Sequence, residues 1–280
     1  MTPSGNTGWQ QRARDGFGQR LPMSIMHVVP IEHCEPAAVV RERRRIVAGV
    51  SLLGTGLLGM SFSARPGSKE FYGLTAAVAA TWTAGGLLSG PLHLGWIQGR
   101  DQRLRRPIFT PVATGVGAFG FFYGCALVAR NIPPLDRAIS NVLTFAEEGS
   151  SPLNVATTMV NGLGEEVFFR GALYAALDAN RAVMASTAVY TLATASTRNP
   201  ALMLAAGVMG TLFSLQRRAS GGLQAPLLTH LTWSALMVRF LPRLFQRARS
   251  TDLSARINQQ GDRTPLAKFD ETGKQASTGR

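Results

Sequence analysis

The stretch PLNVATTMVNGLGEEVFFRGALYAAL, residues 152–177, decides the fold because it is long enough to cross a bilayer yet carries charge at its centre. Glu165 lies about 13 residues into this run, roughly 20 Å along a helix axis that rises about 1.5 Å per residue. A charged group at that depth costs at least about 2.5–3.5 kcal/mol, and intramembrane ionisable residues are functional candidates by default. The run therefore predicts a transmembrane helix that holds a functional site.

Six further apolar runs flank this stretch, and residues 136–148 between the third and fourth runs read as a short interfacial helix. The pattern predicts an all-α fold, a polytopic transmembrane helical bundle of about seven spans. The additional runs are residues 46–63, 71–97, 108–129, 182–197, 201–216 and 221–241. The predicted regions are a polar basic N-terminal tail (1–45), three N-terminal spans (46–130), an interfacial connection (131–151), a membrane core (152–242) and a polar basic C-terminal tail (243–280).

The average composition hides this organisation, because two polar tails are blended with a very apolar middle. Apolar residues make up 45% of the chain, and the mean hydropathy is only +0.07. The net charge is +13, from 29 Lys and Arg against 16 Asp and Glu. These basic residues sit at the edges of apolar runs, where they would face lipid headgroups. Membrane lipids are therefore the predicted partner, and the absence of basic recognition motifs argues against nucleic acid.

The distribution of arginine predicts the orientation of the spans. Arginines crowd residues 41–45 before the first span and residues 100–106 after the second, so both segments and the N-terminus are predicted to be cytoplasmic. Residues 136–148 are acidic on balance, which suits the opposite side. Seven crossings would place the basic tail from residue 243 outside. Either the arginine rule fails there or one short run does not cross fully.

The three charged residues of the central run divide into two roles. Glu166 and Arg170 are four residues apart, so they share a helix face and can form an ion pair. Glu165 is about 100° from Glu166 and about 140° from Arg170 around an α-helix, so it faces elsewhere. A carboxylate without its own salt bridge in an apolar setting suits a general base or a metal ligand. The alternative is one buried charge cluster that locks helices together.

The last apolar run holds the second candidate feature. His230 and Ser234 are four residues apart on one face, at a depth that could meet Glu165. A lone intramembrane histidine is often a hydrogen-bonded packing residue. Its combination with a deep Glu-Glu-x-x-x-Arg string favours a functional site instead.

At these residues the sequence resembles a known family. The string EEVFFRGAL at 165–173 resembles the first motif of the CPBP (CAAX protease and bacteriocin-processing) intramembrane peptidases. Residues 222–234, with Pro226 and His230, are similar to the last motif of that family. The resemblance covers roughly residues 152–241 and leaves the first three spans outside.

The resemblance implies a role for each matched residue. Glu165 would be the catalytic glutamate that activates water, and His230 would help to bind a metal or the oxyanion. Glu166 and Arg170 occupy the remaining catalytic-motif positions. Glu165 and His230 would supply two ligands to a divalent metal, with zinc as the expected ion. The implied substrate is a membrane protein or peptide, and the implied location is a bacterial plasma membrane.

Two positions depart from the family pattern. The middle motif is an aromatic residue followed four residues later by histidine, and here Tyr190 is followed by Thr194. The last motif ends in asparagine, and here Ser234 stands in its place. A catalytic zinc normally has three protein ligands, and a neutral threonine hydroxyl is a poor third. Three alternatives follow: the metal site is absent, another residue such as His93 in the second run completes it, or the protein keeps the fold without the activity.

Three interpretations follow. The leading one is an intramembrane metalloendopeptidase in which Glu165 and His230 act on a peptide bond. The second is a catalytically impaired family member that acts as a membrane binding or regulatory protein. The third is a transporter or channel whose buried charges line a pathway. Repeated or broken spans would favour the third, and the sequence shows no internal repeat.

Overall fold

The computed structural model describes residue 29 and residues 35–98, 103–148 and 151–261, without the side chains of residue 151 and residues 246–261. The chain divides into two compact units, residues 1–242 and 243–280. The predicted tails lie partly outside the described residues. Residues 1–28, 30–34 and 262–280 fall there, as does Arg100 from the basic segment after the second run.

Helices make up nearly all of the described structure, and the predicted all-α fold is confirmed. A two-residue antiparallel hairpin, β1 (Ile97–Gln98) with β2 (Leu104–Arg105), pairs Ile97 with Arg105. The helices are α1 (Ala37–Ser63), α2 (Lys69–Leu88), α3 (Phe109–Ala129), α4 (Pro133–Glu147), α5 (Ser151–Glu165), a π-helix (Glu166–Leu173), α6 (Tyr174–Ala176), α7 (Ala182–Ala195), α8 (Pro200–Ser220) and α9 (Gln224–Gly261).

The chain is an integral membrane protein whose first helices have the length and composition of membrane spans. Of the described helices, α1, α2 and α3 are long and apolar enough to cross a membrane, and α7 is a shorter apolar helix. The first three predicted spans thus match helices of membrane length. Among the described residues only these three helices meet both criteria, so the total of about seven crossings stays a prediction.

Two predicted boundaries differ from the structure at the same end of the bundle. Helix α1 begins at Ala37, before the predicted run at 46–63. Its first turns include Arg43, which is buried and donates to Ser89 Oγ at 3.4 Å and to the Pro91 carbonyl at 3.2 Å. The run at 71–97 is not one helix. Helix α2 ends at Leu88, and Gly90 follows with a φ of 130° that L side chains rarely adopt. The expectation that His93 lies within a span was therefore wrong, since it lies in the non-helical segment before β1.

The core forms where α1 and α2 pack against the π-helix. The Trp82 ring lies 4.7 Å from the Phe168 ring and 5.0 Å from the Phe169 ring, and all three side chains are buried. Gly54 of α1 makes room for this cluster, because a Cβ there would lie 2.4 Å from the Trp82 ring. Small residues thus let helices approach closely, as in other membrane bundles. This packing holds the π-helix in the interior.

One end of the bundle, formed by residues 35–44, 89–96, 174–181 and 217–223, is here called the basic end. Arg44 Nε donates to the Ala176 carbonyl at 2.9 Å. Backbone hydrogen bonds join the segment after α2 to the end of α8 and the start of α9. These are Leu223 N–H to His93 O at 2.9 Å, Gln224 N–H to Leu94 O at 3.0 Å and Trp96 N–H to Ser220 O at 2.8 Å. At the basic end, α1 is therefore tied to the end of α6, and the segment after α2 is tied to the end of α8 and the start of α9.

Gly222→Ala is expected to destabilise the protein strongly. A Cβ at this position would lie 2.1 Å from the Gly95 nitrogen and from the Leu94 carbonyl carbon. Because these are backbone atoms, the clash cannot be relieved by a rotamer change, and overpacking of this kind costs about 1–3 kcal/mol or more. Thermal unfolding in detergent measures the effect. Gly56→Ala is the control, since nothing lies within 4 Å of its added Cβ, and equal Tm values for the two variants would contradict the packing described here.

Candidate active site

The candidate site is built on the π-helix, which continues α5 with helical backbone angles at both of its ends. π-Helical turns are rare and occur often at functional sites. Two side chains from other helices bond to carbonyls within this turn. Ser186 Oγ donates to the Phe169 carbonyl at 3.0 Å, and Arg217 Nε donates to the Arg170 carbonyl at 2.8 Å. The turn is therefore held from both α7 and α8.

Glu166 and Arg170 form the ion pair that their spacing predicts. Arg170 Nη1 lies 3.3 Å from Glu166 Oε1, and both side chains are 0% exposed. Arg170 Nη2 also donates to the Gly210 carbonyl at 3.1 Å. The guanidinium carbon lies 4.6 Å from the centre of the Tyr190 ring and 5.0 Å from that of Phe213. Arg170 thus joins the π-helix to α7 and α8.

His230 of α9 lies between the two glutamates. Its Nδ1 is 2.9 Å from Glu166 Oε1, and its ring stacks on Phe213 with centroids 4.7 Å apart. An ionised carboxylate only accepts hydrogen bonds, so we assign a ring proton to Nδ1 as the donor to Glu166. The other ring nitrogen, Nε2, is 4.0 Å from Glu165 Oε2. The sequence predicted that His230 could meet Glu165. It did not predict the closer contact with Glu166, because the spacing of the residues carries no signal of that contact.

Glu165 faces a different environment from its neighbour. Its side chain is 19% exposed, against 0% for Glu166. The Tyr190 hydroxyl donates to Glu165 Oε2 at 2.7 Å. Tyr190 was predicted as the aromatic residue of the middle motif but not as a partner of Glu165. The signal that could have shown this is its hydroxyl, which can donate to a carboxylate. The carboxylate is therefore oriented by Tyr190 and open to the cavity beside it.

That cavity, of about 280 Å³, has a polar end and apolar walls. Thr194 and Ser234 line it together with Glu165 and His230, so the structure gathers the predicted site residues around one space. Glu166 and Arg170 lie behind them, buried. The Thr194 hydroxyl donates to the Tyr190 carbonyl at 2.9 Å, within its own helix. Apolar walls come from several helices and include Val78, Phe145, Ala205, Met209 and Trp233.

The donors at this site are one ligand short of a catalytic zinc. Within the described ranges, no group of three or more His, Cys, Asp or Glu residues is placed to hold a metal ion. Glu166 is engaged by Arg170 and His230, which leaves Glu165 and His230 facing the cavity. His93 does not complete the set, because it lines a separate cavity at the basic end. A catalytic zinc normally needs three protein ligands.

Thr194→His is expected to raise zinc affinity. The new imidazole would enter the cavity that Glu165 and His230 line and would supply the third ligand that a catalytic zinc normally requires. Zinc content after dialysis and titration calorimetry in detergent measure the change. Thr194→Ala is the matched control and should bind as little zinc as the wild type.

Two results would contradict this expectation. If wild-type protein purifies with one tightly bound zinc that Thr194→Ala removes, the hydroxyl is a ligand in its own right. If Thr194→His binds no more zinc than the wild type, residue 194 does not reach the site.

A comparison with known proteins finds a family match over the part of the chain that holds the candidate site. Residues 148–236 match the family model described as type II CAAX prenyl endopeptidase Rce1-like. No curated protein and no solved structure gives a significant match. The matched residues contain every member of the site from Glu165 to Ser234 and exclude helices α1 to α3. The resemblance of this membrane core to the CPBP family is therefore confirmed over residues 148–236.

Proposed function

We propose that this chain is an intramembrane endopeptidase of the CPBP type, in which Glu165 activates water for peptide-bond hydrolysis and His230 assists. The observation that carries this proposal is the position of the Glu165 carboxylate. It borders a cavity, with the Tyr190 hydroxyl at 2.7 Å and His230 Nε2 at 4.0 Å. The family match supports an endopeptidase in general. The roles of the individual residues are our inference from the geometry.

Glu165 would act first as a base and then as an acid. Its carboxylate takes a proton from a water molecule, and the water oxygen bonds to the scissile carbonyl carbon. The carbon–nitrogen bond then breaks as Glu165 passes the proton to the leaving amine. Positioned proton transfer of this kind contributes about 10²–10⁴-fold to rate. The hydrogen bond from Tyr190 to Oε2 leaves the other carboxylate oxygen, Oε1, to face the water.

His230 would stabilise the negative charge that develops on the carbonyl oxygen. Its Nδ1–H is fixed on Glu166, so Nε2 points toward Glu165 and the cavity. In its protonated form, Nε2 would supply a donor at the place where the oxyanion forms. Glu166 and Arg170 would then act by holding the imidazole in position.

The cavity walls favour an apolar peptide segment as the substrate. Aromatic and aliphatic side chains, among them Phe145, Met209 and Trp233, surround the approach to Glu165. Such a surface accepts apolar side chains and excludes water from the reacting bond. A membrane protein or membrane-bound peptide would present a segment of this kind.

The runner-up function is binding without cleavage. Thr194 and Ser234 stand where the family pattern has histidine and asparagine, and the Thr194 hydroxyl is turned to the Tyr190 carbonyl. A site that lacks two polar groups of the pattern could hold a peptide and leave it intact. The same cavity would then serve a regulatory membrane protein.

The test is cleavage of a peptide library by protein reconstituted in liposomes. The library contains prenylated CAAX peptides and unmodified apolar peptides, and mass spectrometry identifies the cut bonds. Wild type and Glu148→Gln, an exposed control directly after α4, are expected to cut the same internal bonds, whereas Glu165→Gln is not. Saturable peptide binding without any cleavage would favour the runner-up function. Equal cleavage by Glu165→Gln would reject the proposal.

A further inference from the structure

A second cavity, of about 480 Å³, opens at the basic end of the bundle. The start of α1, the segment after α2, the turns that follow the π-helix and the end of α8 form its walls. Among the residues described, it shares no lining residue with the cavity at Glu165. It is therefore a separate site that the proposed peptidase chemistry does not use.

Arg217 is the half-buried cation of this cavity. Its Nε donates to the Arg170 carbonyl at 2.8 Å, and its guanidinium carbon lies 5.2 Å from the centre of the Tyr174 ring. These partners are neutral. No carboxylate in the described parts of the chain lies within ion-pair distance of Arg217. The remaining guanidinium N–H groups belong to a side chain that lines the cavity, so they can serve a bound anion.

The balance of charge around the cavity is positive. Arg218 also lines it and is exposed. The carboxylate among the described lining residues is Glu35, and Arg43 holds both of its oxygens, donating from Nη2 to Oε1 and from Nε to Oε2. Arg43 is itself 0% exposed, so this pair is a fixed, neutral unit. Arg217 and Arg218 thus contribute two positive charges that no described carboxylate in the cavity offsets.

We propose that this cavity binds a phosphate group, supplied by an anionic lipid headgroup or by free phosphate. Planar guanidinium groups present paired N–H donors that match phosphate oxygens. Leu92 and Leu177 line the same cavity and could contact the glycerol and upper acyl chain of a lipid. The arginine bias predicts that the basic end is cytoplasmic, where basic pockets between transmembrane helices meet anionic lipids.

The experiment measures binding of defined phosphates to the full-length protein in a neutral detergent. The probes are dihexanoyl phosphatidylglycerol, dihexanoyl phosphatidylcholine and inorganic phosphate, and the readouts are Kd by titration calorimetry and the shift in Tm. Arg218→Gln is expected to weaken binding about tenfold, which corresponds to one charge-assisted hydrogen bond. Arg137→Gln is the matched control, because Arg137 is, like Arg218, an exposed helical arginine, and its helix α4 does not line this cavity. Its Kd should equal that of the wild type.

The probes separate the two sources of phosphate. Saturable binding of phosphatidylglycerol, with weak binding of phosphatidylcholine and of inorganic phosphate, supports a lipid headgroup. Saturable binding of inorganic phosphate with similar affinity supports free phosphate. Equal binding of the two lipids, no saturable binding, or an unchanged Kd in Arg218→Gln would each overturn the proposal. Arg217→Gln is a second variant whose folding is at risk, since it loses the bond to the Arg170 carbonyl. Arg218→Gln therefore decides the question.

Discussion

Glu165→Gln is expected to lower kcat for peptide hydrolysis by about 10²–10⁴-fold, the usual contribution of a positioned general base. The amide cannot take a proton from water, whereas its oxygen can still accept the hydrogen bond from Tyr190. The substitution keeps the size of the side chain, and Glu165 makes no close ion pair like that of Glu166. The loss should therefore appear in kcat while KM and Tm change little.

Single-turnover kinetics on a peptide that the wild type cleaves separates these effects. Glu148→Gln removes a carboxylate of the same kind from an exposed residue directly after α4 and should retain full kcat. A fall in Tm together with kcat would indicate that Glu165 serves structure. Retention of more than about one tenth of the wild-type kcat would show that another group is the base, since a general base contributes at least about 10²-fold.

Glu166→Ala and Arg170→Ala are each expected to lower the free energy of unfolding by about 3–5 kcal/mol. Both side chains are 0% exposed, so removal of either one leaves a buried charge without its partner. Arg170→Ala also removes the hydrogen bond to the Gly210 carbonyl. Glu166→Ala removes the acceptor that holds His230. Both variants should therefore also give low yields of folded protein.

Chemical unfolding in detergent, arranged as a double-mutant cycle, measures the coupling between the two residues. The double variant should cost less than the sum of the single variants, because no unpaired charge remains between them. Glu165→Ala is the comparison, and its free energy of unfolding should stay near that of the wild type. If Glu165→Ala proves the most destabilising of the three, the division of roles between the paired glutamates is wrong.

The pairing of Glu166 with Arg170 was predictable because four-residue spacing is a local property of a helix. The separation of Glu165 from that pair followed from the same local geometry. The sequence predicted His230 as a site residue, but it did not predict the contact of His230 with Glu166. The two residues are 64 positions apart, and only the packing of α9 against the π-helix brings His230 Nδ1 to within 2.9 Å of Glu166.

The π-helix and the end of α2 show two further limits. Residues 166–173 satisfy an α-helical reading of the sequence, and bonds from Ser186 and Arg217 to carbonyls in this turn come from elsewhere in the fold. The run at 71–97 contains no Asp, Glu, Lys or Arg, so composition alone predicted a span that continues past Leu88. Helix α2 instead ends at Leu88, and Gly90 and Gly95 follow it with φ of 130° and 85°.

The three backbone hydrogen bonds at Gly222 bear on how far the peptidase-like segment is autonomous. Residues 148–236 carry the family match, yet Leu223 and Gln224 donate to carbonyls at His93 and Leu94, and Ser220 accepts from Trp96. Those partners lie outside the match. A buried polar group left without its partner costs about 1–3 kcal/mol, so an excised segment would lose stability at the turn that leads into the helix of His230. The length of chain that identifies the family is therefore shorter than the length that must fold together.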